Sequence, residues 1–129
     1  MIGCVDKLTN NQKHYQTTRG AHAALILDEQ LEAVAFAEDV GRHNALDKAI
    51  GKALMTGMLS KACVLVLSSR ISYELVQKAA RAHLPIVMSV SRPTALAVEM
   101  GKALNLTIAF YDDASEVTVV CGENRIKRE

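Results

Sequence analysis

Apolar and polar positions divide the chain into short alternating tracts. Residues 22–27 and 31–37 are apolar runs about Asp28-Glu29-Gln30, the pattern of two strands joined by a turn. Leu46, Ala49, Ile50, Ala53 and Leu54 then recur at helical spacing, with Asp47, Lys48 and Lys52 off that stripe. This predicts a helix after Asn44, ended by Gly57. Residues 62–67 are apolar without alternation, as expected of a strand covered on both faces. A second helix is predicted over 71–83, with Leu75, Val76, Ala79 and Ala80 inward. Pro85 stops it, because proline disfavours helix in the residue before it. Residues 86–90 read as a strand. A third helix begins near Pro93, a favoured first-turn residue, and is expected to bury Leu96, Met100, Ala103 and Leu104. Residues 106–111 and 117–121 read as two last strands about Asp112-Asp113-Ala114-Ser115.

The order β-β-α-β-α-β-α-β-β predicts an α/β domain: three αβα layers around a mostly parallel sheet with antiparallel edge strands. Residues 1–18 are polar and read as an arm or short helix, and 19–129 as the domain itself. A length of 129 residues suits a single core. The net charge of +1 and a shortage of aromatics (Tyr 3, Phe 2, Trp 0) argue against nucleic acid as a partner. The apolar run at 62–67 is far too short for a membrane span, and no leader pattern precedes it, so the chain reads as cytoplasmic. Cys4, Cys63 and Cys121 form no C-x-x-C pair and read as scattered reduced thiols, Cys63 as a small core residue.

The chemistry concentrates where strands hand over to helices. Glu38-Asp39-Val40-Gly41-Arg42-His43-Asn44-Ala45-Leu46-Asp47-Lys48 carries more polar groups than a connector requires. Ser68-Ser69-Arg70 and Ser91-Arg92-Pro93-Thr94 repeat an arginine at the next two junctions. In an open parallel sheet, ligands bind beyond the carboxyl ends of the strands, where helix N-termini offer free N–H groups. Arginine's planar fork suits phosphate oxygens. On this reading Arg42, Arg70 and Arg92 share one edge and hold phosphates, with Ser69, Ser91 and Thr94 donating. Asp39, His43, Asn44 and Asp47 organise the site or read a base edge. The plainer alternatives are that Ser68, Ser69 and Ser91 are helix caps and that Asp39 with Arg42 is a local ion pair. His22 reads as structural, and Lys48 and Lys78 as solvated. No G-x-G-x-x-G, P-loop, G-x-S-x-G or zinc deaminase signature is present.

At these residues the sequence resembles the FdhD family of formate dehydrogenase accessory sulfurtransferases. The resemblance rests on Gly20-Ala21-His22-Ala23-Ala24, on the block from Glu38 to Lys48, on Ser69-Arg70-Ile71-Ser72-Tyr73-Glu74 with Gln77-Lys78, and on Ser91-Arg92-Pro93-Thr94 with Leu96-Ala97-Val98-Glu99. It covers about residues 12–121. It implies a cytidine deaminase-like fold without zinc and a role in maturing molybdenum- or tungsten-dependent formate dehydrogenase. Sulfur would come from a cysteine desulfurase and pass to bis-molybdopterin guanine dinucleotide, of which GDP is a partial mimic. A homodimer is also implied. The family's C-x-x-C, carried on a preceding segment, is not in this sequence, so binding is expected here and sulfur transfer by this chain alone is not. Thr18-Arg19-Gly20 replaces the family's T-G-G, and Arg92 replaces an alanine. The competing expectation is a non-catalytic guanine-nucleotide-binding or protein-interaction domain.

Overall fold

The computed structural model describes residues 22–111 and 116–123; the predicted N-terminal arm and the 112–115 turn lie outside them. The elements are β1 (His22–Leu27), β2 (Ala33–Asp39), α1 (Arg42–Met55), β3 (Val64–Leu67), α2 (Tyr73–Arg81), β4 (Ile86–Ser89), α3 (Ala95–Ala103), β5 (Thr107–Tyr111) and β6 (Val117–Cys121), with a 3-10 turn at Leu59–Lys61. The predicted order of strands and helices is therefore found. β2 begins two residues later than expected because the turn is longer. Asp28 Oδ1 accepts from the backbone N–H of both Gln30 and Glu32, and Leu31 adopts a φ of 62°. Gly57 ends α1 at a φ of 73°, with its own N–H donating to Leu54 O and that of Met58 to Ala53 O.

The six strands form one mixed sheet in the order β2-β1-β3-β4-β5-β6. β3, β4 and β5 pair in parallel, while β1 pairs antiparallel with both β2 and β3, and β6 with β5. This corrects the expectation of a mostly parallel sheet. An antiparallel strand lies inside the sheet, because the β1–β2 hairpin is followed by a crossover that passes over β1. β2, β3, β4 and β5 all run the same way.

Each crossover between these four strands moves in the same direction along the sheet. Crossovers of one hand then leave their helices on one face, and the buried side chains agree. Ala45, Leu46 and Ala49 of α1, Leu75, Val76 and Ala79 of α2, and Ala97 of α3 join one cluster with Ala24, Ile26, Leu65, Leu67, Val87 and Ile108. The opposite face buries Ala23, Leu25, Val66, Met88 and Ala109, and none of the three helices packs on it. The second helix layer of the predicted three is thus not among the described residues.

α3 shows a local difference with a clear cause. Leu96 and Leu104, expected to be buried, are 54% and 42% exposed, while Ala97 and Gly101 face the sheet. A Cβ on Gly101 would meet Ile108 Cδ1 at 2.5 Å and Cys121 Sγ at 3.1 Å, so α3 approaches the sheet on its small residues. Leu54 of α1, also expected inside, is 65% exposed.

Candidate functional site

Because β2, β3 and β4 point the same way, their carboxyl ends release the chain at one edge, and the three arginine junctions lie along it. The second and third junctions are laced together. Ser89 Oγ donates to Ser69 O, and the Thr94 N–H donates to Ile71 O at 3.0 Å. Ser91 N–H in turn reaches Ser89 Oγ at 2.9 Å. The first junction is braced across to α2 by Asp47 on Lys78, 2.9 Å apart.

The three helix N-termini differ. Ser72 Oγ accepts from Leu75 N–H, and Thr94 Oγ1 accepts from Ala97 N–H, so α2 and α3 cap themselves. α1 has Gly41 at the cap, with no side-chain cap bond and no acidic residue in its first turn. Among the described residues no side chain caps its first-turn N–H groups, at the positive end of a helix of 14 residues. Asp39, which could have closed this turn, is occupied elsewhere. Its Oδ1 accepts from Gly41 N–H at 2.9 Å and from Asn44 Nδ2 at 3.4 Å, and its Oδ2 meets Lys48 Nζ at 2.6 Å. These donors, the Lys48 ammonium first, lower the carboxyl to about 2.

Arg42, Arg70 and Arg92 are all exposed, and among the described residues none is in an ion pair. Arg92 lies over the Phe110 ring, 5.4 Å from its centroid. The local-pair reading of Asp39 with Arg42 is thus replaced by Asp39 with Lys48. Nor do Ser68, Ser69 and Ser91 cap helices. Ser68 Oγ accepts from Ala23 N–H, Ser69 is buried with its hydroxyl on Arg70 O, and Ser91 precedes α3 by several residues. His43 is half-buried and Asn44 exposed beside Asp39. Thr94 acts as the cap of α3. Ser72 and Ser89, not singled out in the sequence, do the capping and lacing. Ser72 was findable as a serine just before a helical repeat; Ser89 was hidden as a serine closing an apolar strand.

Glu38 is the uneasy group at this edge. Its Oε2 is shielded from water and has no hydrogen-bond partner among the described residues, and burial raises its carboxyl above the usual value. A raised carboxyl pKa destabilises the fold above the ordinary value, whereas the lowered Asp39 stabilises it there. Glu38→Gln is therefore expected to melt higher than wild type at neutral pH. The gain should fade as the pH falls through the raised value toward the ordinary carboxylate range, and be gone below ~4. Thermal melts across that range check it; a melting point below wild type at pH 7 would show that Glu38 is satisfied.

Elsewhere, a concavity of about 400 Å³ opens at the opposite end of the sheet, lined by Asp28, Lys61, Cys63 and His83 among others. Cys121 is buried, its Sγ donating to Leu106 O at 3.4 Å, and burial pushes its thiol up. Neither described thiol lies at the arginine edge.

Fold and edge together define an α/β domain that gathers exposed arginines at the carboxyl ends of its co-directional strands. The chain belongs to the FdhD/NarQ family, whose model matches residues 1–127. It is 42% identical over 122 residues to the sulfur carrier protein FdhD of Streptomyces avermitilis, covering 94% of this chain and 43% of that protein. With the protein of the same name from Picrophilus torridus it shares 34% identity over 127 residues, covering 98% and 48%. The chain thus spans about half the length of these relatives. The crystal structure of a candidate formate dehydrogenase accessory protein from Desulfotalea psychrophila superposes with a TM-score of 0.84 at 25% identity, over 98% of this chain and 56% of that one. A diaminohydroxyphosphoribosylaminopyrimidine deaminase/reductase from Thermotoga maritima shares the fold alone, with a TM-score of 0.64 at 14% identity, over 84% and 35%.

Proposed function

We propose that this domain binds bis-molybdopterin guanine dinucleotide at the arginine edge, holding it as the acceptor of sulfur on its way to a formate dehydrogenase. The observation that carries this reading is the set of three exposed arginines, none in an ion pair among the described residues, along the strand ends that also present the N-terminus of α1, which has no side-chain cap. The ligand's guanine nucleotide ends bring pyrophosphates, whose oxygens fit arginine forks and free backbone N–H groups. Arg42 and the first turn of α1 take one phosphate group, and Arg70 reaches another. The sulfur originates with a cysteine desulfurase, and a thiol other than Cys63 and Cys121 carries it to this edge. The domain works as a homodimer, and its fold is that of a cytidine deaminase relieved of zinc.

GDP is the probe. Calorimetric titration is expected to show GDP binding and guanosine binding far more weakly, because the phosphates supply most of the contacts. Gly41→Asp separates this from nonspecific attraction. An aspartate at the cap closes the α1 N-terminus and adds negative charge where the phosphate sits. A Cβ there would meet the exposed Asn44 amide at 3.3 Å, which can give way, and Asp39 Oδ1 at 3.7 Å, a like charge that offsets part of the capping gain. The variant should stay folded yet bind GDP at least about tenfold more weakly, the loss of roughly one charged hydrogen bond. No heat with GDP would sink the reading; unchanged affinity in Gly41→Asp would move the phosphates off α1.

A further inference from the structure

Arg92 differs from the other two arginines in what lies beneath it. Its guanidinium carbon sits over the Phe110 ring, 5.4 Å from the centroid. Phe110 is 6% exposed and stands on β5 opposite Ser89, the last residue of β4. Since β5 runs parallel to β4, this ring lies at the same edge as the arginine junctions. The backbone on either side of Arg92 is also held. Ser91 N–H donates to Ser89 Oγ at 2.9 Å, and Thr94 N–H to Ile71 O at 3.0 Å. Pro93 narrows Arg92 to extended conformations. Arg92 is thus mounted over an aromatic floor and yet exposed, with the second face of its guanidinium turned to solvent.

A guanidinium held in this way offers a flat, weakly hydrated surface on which a planar heteroaromatic ring stacks. Its place in the sheet suits such a ring. The strand order along the edge is β2-β1-β3-β4-β5. Phosphates shared by Arg42 and Arg70 sit beyond the ends of β2 and β3, and a nucleotide carries its base one ribose further on. Past β3 the next strand is β4, about 5 Å away, and it carries Arg92.

We propose that Arg92 is the ring-stacking residue of this site. The base of a nucleoside diphosphate lies on its outer face, with Phe110 beneath, while Arg42 and Arg70 hold the phosphates. The assignment rests on the nucleotide reading of the edge given above. It takes Arg92 out of the phosphate-holding set in which its sequence pattern placed it.

Arg92→Lys keeps the charge and loses the plane, whereas Arg92→Tyr keeps a plane and loses the charge. Calorimetric titration with GDP and with inorganic pyrophosphate, at physiological salt, separates the two roles. For a stacking residue GDP affinity falls in the order wild type, Arg92→Tyr, Arg92→Lys, the last about fivefold below wild type, the low end of the range for one stacked base. Pyrophosphate has no ring and should bind wild type and Arg92→Lys alike. Arg42→Ala should give the other signature, weakening GDP and pyrophosphate together. If Arg92→Lys binds GDP better than Arg92→Tyr does, Arg92 is a phosphate ligand and the proposal is overturned, with the reading of the edge intact. GDP affinity unchanged in both variants overturns it equally. Wild type that binds neither GDP nor pyrophosphate removes the nucleotide from the edge, and this assignment with it.

Discussion

Alanine at position 122 is expected to lower the stability of the domain by about 2–5 kcal/mol, whereas alanine at position 57 should lower it by only about 1–2 kcal/mol. Both glycines occupy the left-handed region, at φ 70° and 73°, so each substitution carries the same backbone penalty. Their surroundings differ. A Cβ on Gly57 would meet nothing within 4 Å. One on Gly122 would lie 2.5 Å from Thr107 Oγ1, 2.6 Å from Leu106 O and 2.7 Å from Thr107 Cα. Two of those three atoms are backbone and cannot swing aside. The Thr107 hydroxyl also donates to Gly122 O at 2.7 Å, the bond that pins the end of β6 to the start of β5. The difference between the two variants in urea unfolding therefore isolates the steric cost. Against a total stability of roughly 5–15 kcal/mol it is a large fraction. Equal losses at the two positions would mean that the chain after β6 does not pack on β5 as described.

Much of this fold was legible because strands and helices write different periods. The unbroken run at 62–67 and the stripe of Leu46, Ala49 and Ala53 fixed element type and order, and the three junctions followed from order alone. What escaped reading was decided by tertiary fit. Hydrophobicity placed Leu96 and Leu104 inside, yet Ala97 and Gly101 are the buried residues of α3, with Met100 packed beside them, because Ile108 and Cys121 lie too close to Gly101 for a larger side chain. The position of β1 inside the sheet depends on how the hairpin docks, and no local pattern states it. At the site, sequence located the arginines, but their freedom depends on who claims the carboxylates. Lys48 of α1 reaches Asp39 at the end of β2, and Lys78 of α2 reaches Asp47 of α1, contacts that spacing alone leaves open. Ser89 is the same case. Its hydroxyl matters only because β4 lies beside β3, where Ser69 presents its carbonyl.

Arg42→Ala and Arg70→Ala are each expected to weaken GDP binding by roughly 1.5–3 kcal/mol, about ten- to a hundredfold, and to leave the weak binding of guanosine almost unchanged. Folding should be untouched, since both side chains are exposed and neither enters an ion pair among the described residues. Arg92→Ala should cost less, because that guanidinium is already committed to the Phe110 ring. The double variant carries the sharper information. The junctions stand on β2 and β3, with β1 between them. If each arginine holds a different phosphate group, the two losses add to about 3–6 kcal/mol, as independent sites do. If both converge on one group, the second removal costs visibly less than the first. Raising the salt concentration should weaken wild-type binding more than that of either variant, because these exposed contacts are screened. An Arg70 effect with none at Arg42 would place the phosphates between α2 and α3, and the uncapped turn of α1 would lose its claim on the ligand.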